Sequence, residues 1–119
     1  MAVKYSNNAS TTINGSITAS ATSITVYDVS SFPTLTGSDY TYLTLVSLDG
    51  ATIEVIKVTA INTSTKVLTV IRGQDDTTGA IFSSGDICEL RLNAAMLNDA
   101  ASQNDDASGT AVAMSIALG

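Results

Sequence analysis

The sequence of 119 residues contains no histidine, no tryptophan, one proline and one cysteine, and only 13% of its residues are charged. Without histidine, the chain lacks the commonest general base and the commonest metal ligand. Because Cys88 is the only cysteine, an internal disulfide and a zinc site built from thiolates are excluded. These absences predict a protein that is not an enzyme and that uses no metal or other cofactor.

Basic residues are also scarce, with five Lys and Arg against eleven Asp and Glu, which gives a formal net charge of -6. Proteins that bind nucleic acid need clustered Lys and Arg to contact phosphates. No run approaches the roughly 18 apolar residues of a membrane span, and no basic, apolar leader opens the chain. We therefore expect neither nucleic acid nor a membrane as a partner, and the length predicts a single domain.

Small hydroxyl side chains and β-branched aliphatic side chains dominate what is present. The chain has 17 Thr and 15 Ser, together with ten Ile, nine Val and nine Leu. Thr, Val and Ile are stiff at χ1 and fit a pleated, half-buried surface, so this composition favours strands. A surface rich in hydroxyls and poor in charge is typical of a Thr-rich β domain, and it also suits a protein surrounded by neighbouring subunits.

The sequence pattern divides the chain into three segments. Residues 1–15 are polar and lack a period, which predicts an extended N-terminal arm that becomes ordered only against a partner. Residues 16–102 predict one β-rich domain that ends in a short helix. Residues 103–119 form an Ala- and Ser-rich tail whose end alternates, so it can supply a strand that pairs within its own subunit or with a neighbour. The alternating apolar residues of the tail are Val112, Met114, Ile116 and Leu118.

Alternating apolar residues predict the strands of the domain. The segment Ser16–Val29 alternates with a change of phase near Ala21–Ser23, which predicts a bulge or a turn there. Asp49-Gly50 is a strong hairpin signal between two further alternating segments. The later strands are predicted at Tyr40–Leu48, Thr52–Ile61, Val67–Arg72 and Ile87–Leu92.

A short helix is predicted after the last of these strands. Asn93 can cap a helix over Ala94–Ser102, with Met96 and Leu97 facing inward. We therefore expect a mainly β fold: a compact antiparallel meander, small β-sandwich or barrel of about five to seven strands, with an N-terminal arm and one short C-terminal helix.

Several short sequence segments follow one another in a defined order between about residue 5 and residue 98. The two most telling segments are Ile53–Thr59 and Leu68–Asp75. Together the segments resemble a small β-domain that is widespread among tailed-bacteriophage virion proteins, at the base of tail or head fibres and in small head or tail components. The shorter stretches are Asn7–Thr12, Thr22–Val26, Phe32-Pro33, Tyr40–Leu45, Thr77-Thr78, Phe82, Gly85-Asp86 and Glu89–Leu92.

The resemblance implies a building block of a symmetric assembly, frequently a trimer, without catalytic residues. Longer relatives continue after the short helix into a fibre shaft or a receptor-binding domain, whereas this sequence ends at Gly119, which favours a small decoration, cement or adaptor-like subunit over a complete fibre. Of these, a capsid decoration or cement subunit is the favoured function. The expected partners are the major capsid protein, other virion proteins and further copies of the chain. The expected location is the virion, on the capsid surface or alternatively at the tail or neck, after assembly in the host cytoplasm.

Two other functions remain open at this point. The first alternative is a base or adaptor for tail or head fibres. The second is a surface module that binds host glycans, for which Tyr27, Tyr40 and Tyr42 are the candidate aromatic platform. Packing in the core or at an interface is the competing role for these tyrosines.

The densest polar cluster is Arg72–Thr78. Arg72 can form a two-pronged contact with a carboxylate, from Asp75, from Asp86 or from a neighbouring subunit, and so organise the loop. A calcium site at Asp75 and Asp76 is the competing hypothesis, but the spacing of a typical calcium loop is absent. Glu54 and Lys57 lie three apart on a strand, so each is expected to pair across strands, with Arg72, Arg91 or Asp49 as candidates.

Cys88 lies mid-strand among apolar neighbours, which predicts a small buried side chain rather than a reactive thiol. The arm (Met1–Ser16) and the tail (Gln103–Gly119) are expected to reach across subunits. The residues assigned to contacts between subunits are Tyr5, Asn7, Asn8, Arg72, Asp75, Val112, Met114 and Ile116.

Overall fold

The computed structural model describes residues 3, 4, 6, 9–91 and 93–103. All strand pairs are antiparallel, and the sheet has the order β1-β6-β3-β4-β5-β2. The sheet curls into a half-barrel, so the predicted mainly β fold with one short C-terminal helix is confirmed. The elements are β1 (Ser10–Thr12), β2 (Ser23–Thr25), β3 (Thr41–Val46), β4 (Ile53–Asn62), β5 (Val67–Gln74), β6 (Ile87–Glu89) and α1 (Ala94–Gln103).

The centre of the sheet is the predicted meander β3-β4-β5. The turn between β3 and β4 contains Asp49-Gly50, as predicted, and the Gly50 N–H donates to the Ser47 carbonyl over 2.8 Å. Gly50 has a φ of 75°, a left-handed conformation that glycine adopts without steric cost. In the turn between β4 and β5, the Asn62 side-chain oxygen accepts hydrogen bonds from the N–H groups of Ser64 and Thr65. Local turn chemistry therefore explains both hairpins.

The predicted boundary of the arm at residue 15 is wrong for the residues nearest the domain. Ser10–Thr12 form β1, which pairs with β6 in the same chain, and Ala9 and Ile13 are buried. Alternate positions from Ala9 to Ile13 face the core, but alanine and threonine are too small and too polar to give a clear apolar period. Ser10–Thr12 therefore pair within their own subunit.

The predicted strand Ser16–Val29 is also shorter in the structure, where only Ser23–Thr25 belong to a strand. The predicted change of phase corresponds to a turn, in which the Ala21 N–H donates to the Thr18 carbonyl over 3.3 Å. A bridge between Ile13 and Val26 joins the ends of the two edge strands β1 and β2. This bridge draws the two edges of the curled sheet together.

The main core lies on the inner face of the sheet. Leu43 and Leu45 of β3 and Ile56 and Val58 of β4 are fully buried there, and alternation along each strand sends them to one side. The other buried side chains of this cluster come from β2, β5 and β6 and from the loops that cross the barrel. They include Ile13, Ile17, Ile24, Val26, Val29, Phe32, Leu68, Val70, Phe82 and Cys88.

The helix α1 covers part of the outer face and forms a second, smaller apolar cluster with Tyr40, Tyr42 and Val55. The Asn93 side-chain oxygen accepts a hydrogen bond from the Met96 N–H over 2.8 Å, which confirms the predicted cap. Met96 is fully buried as predicted, whereas Leu97 is only half-buried, and Ala100 is also buried. Among the described residues, no helix has the length and apolar content needed to cross a bilayer.

Candidate functional site

The most connected polar group of the described structure is an ion pair between Arg72 on β5 and Glu54 on β4. The Arg72 Nε and Nη2 atoms lie 2.8 Å and 2.7 Å from the two carboxylate oxygens of Glu54, a bidentate arrangement. The Glu54 side chain is fully buried, and only 8% of the Arg72 side chain is exposed. The pair lies on the inner face, at the end of the sheet where β4 begins.

Alternation along β4 and β5 places the two side chains on the same face, and a bulge in β5 beside them turns the Gly73 N–H toward Glu54 as well. Val55 is opposite Gln74 and Lys57 is opposite Ile71, so β5 contains one residue more than β4 between these points. Gly73 lies in the bulge with a φ of 62°, and its N–H donates to a Glu54 oxygen over 2.9 Å. A side chain at position 73 would place Cβ 3.2 Å from the Thr77 carbonyl oxygen, so the bulge requires glycine.

Arg72 also holds two loops that cross this end of the barrel. Its Nη1 atom donates to the carbonyl oxygens of Thr18 and Ala21 over 2.6 Å and 3.2 Å, and its Nη2 atom donates to the Ala80 carbonyl over 2.6 Å. The Ala80 N–H in turn donates to Glu54 over 2.8 Å. All five N–H donors of the guanidinium therefore have acceptors.

The hydrogen bonds keep Glu54 ionised despite its burial. Burial alone would raise the pKa of Glu54, but the hydrogen bonds from Arg72 and from the N–H groups of Gly73 and Ala80 outweigh that effect and hold the pKa below its ordinary value. A buried carboxylate with four donors and a matched cation is therefore stable as an ion. The group works as a clamp between strands and loops.

The prediction that Arg72 binds Asp75 or Asp86 is wrong, whereas the alternative of cross-strand pairing between Glu54 and Arg72 is confirmed. Asp86 has another role, because its carboxylate accepts from the N–H groups of Leu48 and Ser83 over 3.1 Å and 2.8 Å. Arg72 shares the inner face with Leu68 and Val70 by alternation, and the register of β4 against β5 brings it to Glu54. No local motif shows this long-range register.

Asp75 follows the bulge and holds the start of α1. Its carboxylate oxygen lies 3.1 Å from the Ala95 N–H that donates to it, and its φ of 52° is in the left-handed region. Within the described part of the chain, no three His, Cys, Asp or Glu side chains lie close enough together to hold a metal ion. The observed contact of Asp75 is thus with its own helix.

Two of the tyrosines bind the same helix. The hydroxyl groups of Tyr40 and Tyr42 donate to one carboxylate oxygen of Asp99 over 2.7 Å and 2.6 Å. The two rings are in edge-to-face contact with centroids 5.8 Å apart, and the Lys57 ammonium lies 4.2 Å from the centroid of Tyr40. Burial and the bond to Asp99 raise the pKa of Tyr42 above its ordinary value. Tyr40 and Tyr42 are buried, so in this structure they offer no platform for a sugar, whereas Tyr27 is half exposed.

Cys88 is fully buried on β6, between β1 and β3, as the sequence predicts. Burial raises the pKa of the Cys88 thiol to about 12, so the thiolate is not formed near neutral pH. Cys88 is therefore a packing residue of the main core.

Of the residues assigned to contacts between subunits, the structure places Arg72 and Asp75 at one end of the barrel, in contacts with their own chain. Although the two residues are only three positions apart, they hold different elements. Arg72 binds the loops that cross the barrel, and Asp75 binds the start of α1. The others lie outside the described residues, namely Tyr5, Asn7, Asn8, Val112, Met114 and Ile116.

The sequence matches no protein-family model, and no curated protein was found to be similar to it.

Proposed function

We propose that this chain is a non-enzymatic structural protein of a bacteriophage particle, and specifically a capsid decoration or cement subunit. The observation that carries the proposal is the ordered resemblance of its segments to a β-domain of tailed-phage virion proteins. The two most telling segments, Ile53–Thr59 and Leu68–Asp75, lie on β4 and β5. They contribute both partners of the buried ion pair, so the resemblance falls on residues that hold the fold together.

The mechanism is linkage between binding and assembly. A subunit that binds the assembled lattice, and not its separated components, stabilises the lattice by an amount set by its concentration relative to its dissociation constant. Such a subunit must keep its own shape while it is bound. The Glu54–Arg72 clamp supports this, since it joins two strands and two loops at one buried point.

The test is the number of copies of the chain in purified particles, measured by quantitative mass spectrometry against the major capsid protein. On the order of hundreds of copies is expected for a subunit that follows the symmetry of a capsid lattice. On the order of ten copies would instead favour a fibre base or adaptor at the neck or tail. Absence from the particles would contradict a virion role altogether.

A further inference from the structure

One end of the barrel carries three exposed, large apolar side chains, Leu48, Ile53 and Ile81. We call these three residues the apolar end. Because neighbouring strands are antiparallel, β3 and β5 finish where β4 and β6 begin, and the turn after β3 and the loop before β6 meet there. Leu48 lies in that turn, Ile53 begins β4 and Ile81 lies in that loop.

These side chains are exposed to an unusual degree for their size. Ile81 is 73% exposed, Leu48 is 71% exposed and Ile53 is 50% exposed. Ile53 lies opposite Val46 on the outer face, and the half-buried Ile87 lies on the other side of Val46 in the same register. An exposed apolar surface next to a largely buried apolar row is typical of a contact site for another protein.

Hydrogen bonds within the chain already hold the backbone at the apolar end in the absence of a partner. The Asp86 carboxylate accepts hydrogen bonds from the turn and from the loop, at the N–H groups of Leu48 and Ser83. Ala80, next to Ile81, is held by both partners of the buried ion pair. A surface that is already ordered loses little conformational entropy on binding.

The charge around the apolar end is negative. Asp49 lies in the turn beside Leu48 and stays ionised, because hydrogen bonds from Ser47 and Ala51 lower its pKa. Asp76, which is exposed, follows the end of β5 at the same end of the barrel. A surface that complements the apolar end therefore carries Lys or Arg around its apolar centre.

The chain itself has no such basic surface available at this end. All five of its Lys and Arg residues are described: Arg72 is buried against Glu54, and Lys66 lies in the turn at the opposite end. The remaining three have contacts of their own, Lys4 with Asp39, Lys57 with Tyr40 and Arg91 with Glu89. Two copies that met through their apolar ends would bring like charges together.

We propose that the apolar end docks a different protein, through a surface that is apolar at its centre and basic at its rim. The inference rests on the proposed function for the identity of that protein, which is a component of the particle. Leu48 and Ile81 are the side chains that insert into the apolar centre of the partner surface. The carboxylates of Asp49 and Asp76 select a partner with a basic rim.

The chemistry can be tested with the full-length chain and two peptides. A short synthetic peptide of leucine and lysine is titrated into 15N-labelled protein, and the matched peptide of leucine and glutamate serves as the control. We expect the leucine–lysine peptide to shift the amide resonances of Leu48, Ile53 and Ile81, with binding that weakens as salt is raised. Equal binding of both peptides, or shifts confined to other surfaces, would overturn the inference.

A matched pair of variants sharpens the test. Leu48→Asp combined with Ile81→Asp should weaken binding of the basic peptide at least about tenfold. Ile71→Asp is the control, because Ile71 is 49% exposed and lies on the outer face of β5, away from the apolar end. If the double variant and Ile71→Asp lost the same amount of peptide affinity while both kept the wild-type urea midpoint, the assignment of the binding site to the apolar end would be wrong.

The same variants separate this inference from the proposed function. In particles assembled with each variant in place of the wild-type chain, the double variant should be incorporated at least about tenfold less than the Ile71→Asp variant. Equal incorporation of the two would overturn the inference while the virion role stands. If even the wild-type chain is absent from particles, the virion role fails, and the peptide titration still decides whether the apolar end binds as described.

Discussion

At the scale of single residues, the buried Glu54 carboxylate joins two strands and a loop. Four hydrogen bonds reach it, two from Arg72 and one each from the N–H groups of Gly73 and Ala80. Removing one partner of a buried ion pair leaves the other charged and unpaired, and this costs more than the intact pair contributes. Threonines form smaller connections of the same kind, as when the buried Thr41 hydroxyl donates to the Lys4 carbonyl over 2.7 Å.

Replacing Glu54 by glutamine should lower the free energy of unfolding by about 3–5 kcal/mol, because Arg72 would remain buried without a counter-ion. The measurement is equilibrium unfolding in urea. Glu89→Gln is the matched control, since the Glu89–Arg91 pair is partly exposed, at 26% and 48% of the two side chains, and its loss should cost no more than about 1 kcal/mol. An equal decrease in the free energy of unfolding in the two variants would show that the buried pair contributes no more to stability than the Glu89–Arg91 pair.

The pH dependence of stability should have a distinct contribution from Glu54. Its pKa is lower in the folded chain than in the unfolded chain, where a glutamate titrates near pH 4.3. Its contribution is therefore complete above about pH 5 and is lost as the pH falls through the folded-state pKa. When urea unfolding is measured between neutral and acidic pH, the free energy of unfolding should fall more steeply with decreasing pH in the wild type than in Glu54→Gln. Parallel curves would contradict this assignment.

At the scale of elements, α1 is attached to the barrel but is not part of its main core. Its buried residues Met96 and Ala100 pack with Tyr40, Tyr42 and Val55 on the outer face, whereas the main core lies on the inner face. Polar contacts hold it at two points, through Asp75 at the first turn and through its own Asp99 near the middle of the helix. The helix can therefore open while the sheet stays closed.

Tyr42→Phe removes one of the two hydroxyl groups that bind Asp99 and should destabilise α1 by about 1.5–3 kcal/mol, the range for a hydrogen bond to a charged group. Hydrogen exchange measured on the folded protein should show faster exchange of the α1 amides, with the amides of β3 unchanged. Tyr27→Phe is the control, because Tyr27 is half exposed. Faster exchange throughout the sheet would mean that the helix and the barrel open together.

The elements that the sequence predicted well are those specified by local residues. Asp49-Gly50 predicted the first hairpin, and Asn93 predicted the start of the helix. β1 was missed because Ala9, Thr11 and Ile13 share a face without forming an apolar period. The carboxylate partner favoured for Arg72 was also wrong, since the ion pair depends on the long-range register of β4 against β5. Long-range register and small buried residues leave little signal in a single sequence.

At the scale of the whole molecule, the buried residues described for the main core lie between Ala9 and Cys88. This cluster includes residues of the meander, of β2, of β6 and of the loops, with Ala9 and Ile13 on either side of β1. A domain that closes its core in this way is expected to fold without an added tail.

A chain truncated after Gln103 should therefore keep its β-sheet spectrum and a urea midpoint close to that of the full chain, but should be incorporated less well into particles. Circular dichroism and urea unfolding test the first part, and quantitative mass spectrometry of particles tests the second. Loss of folding would show that the tail is a strand of its own sheet. Normal incorporation would show that the tail makes no contact between subunits.

The strand order also determines when the chain can finish folding during synthesis. The first two strands made, β1 and β2, pair with two of the last, β6 and β5. Apart from the bridge between Ile13 and Val26, the nascent chain therefore has no sheet partner for its first strands until β5 and β6 have left the ribosome. The hairpins β3-β4 and β4-β5 need only local loop closure, so we expect them to form the folding nucleus and the edge strands to join afterwards. Mutations in the meander should slow refolding, whereas mutations in β1 should mainly speed unfolding.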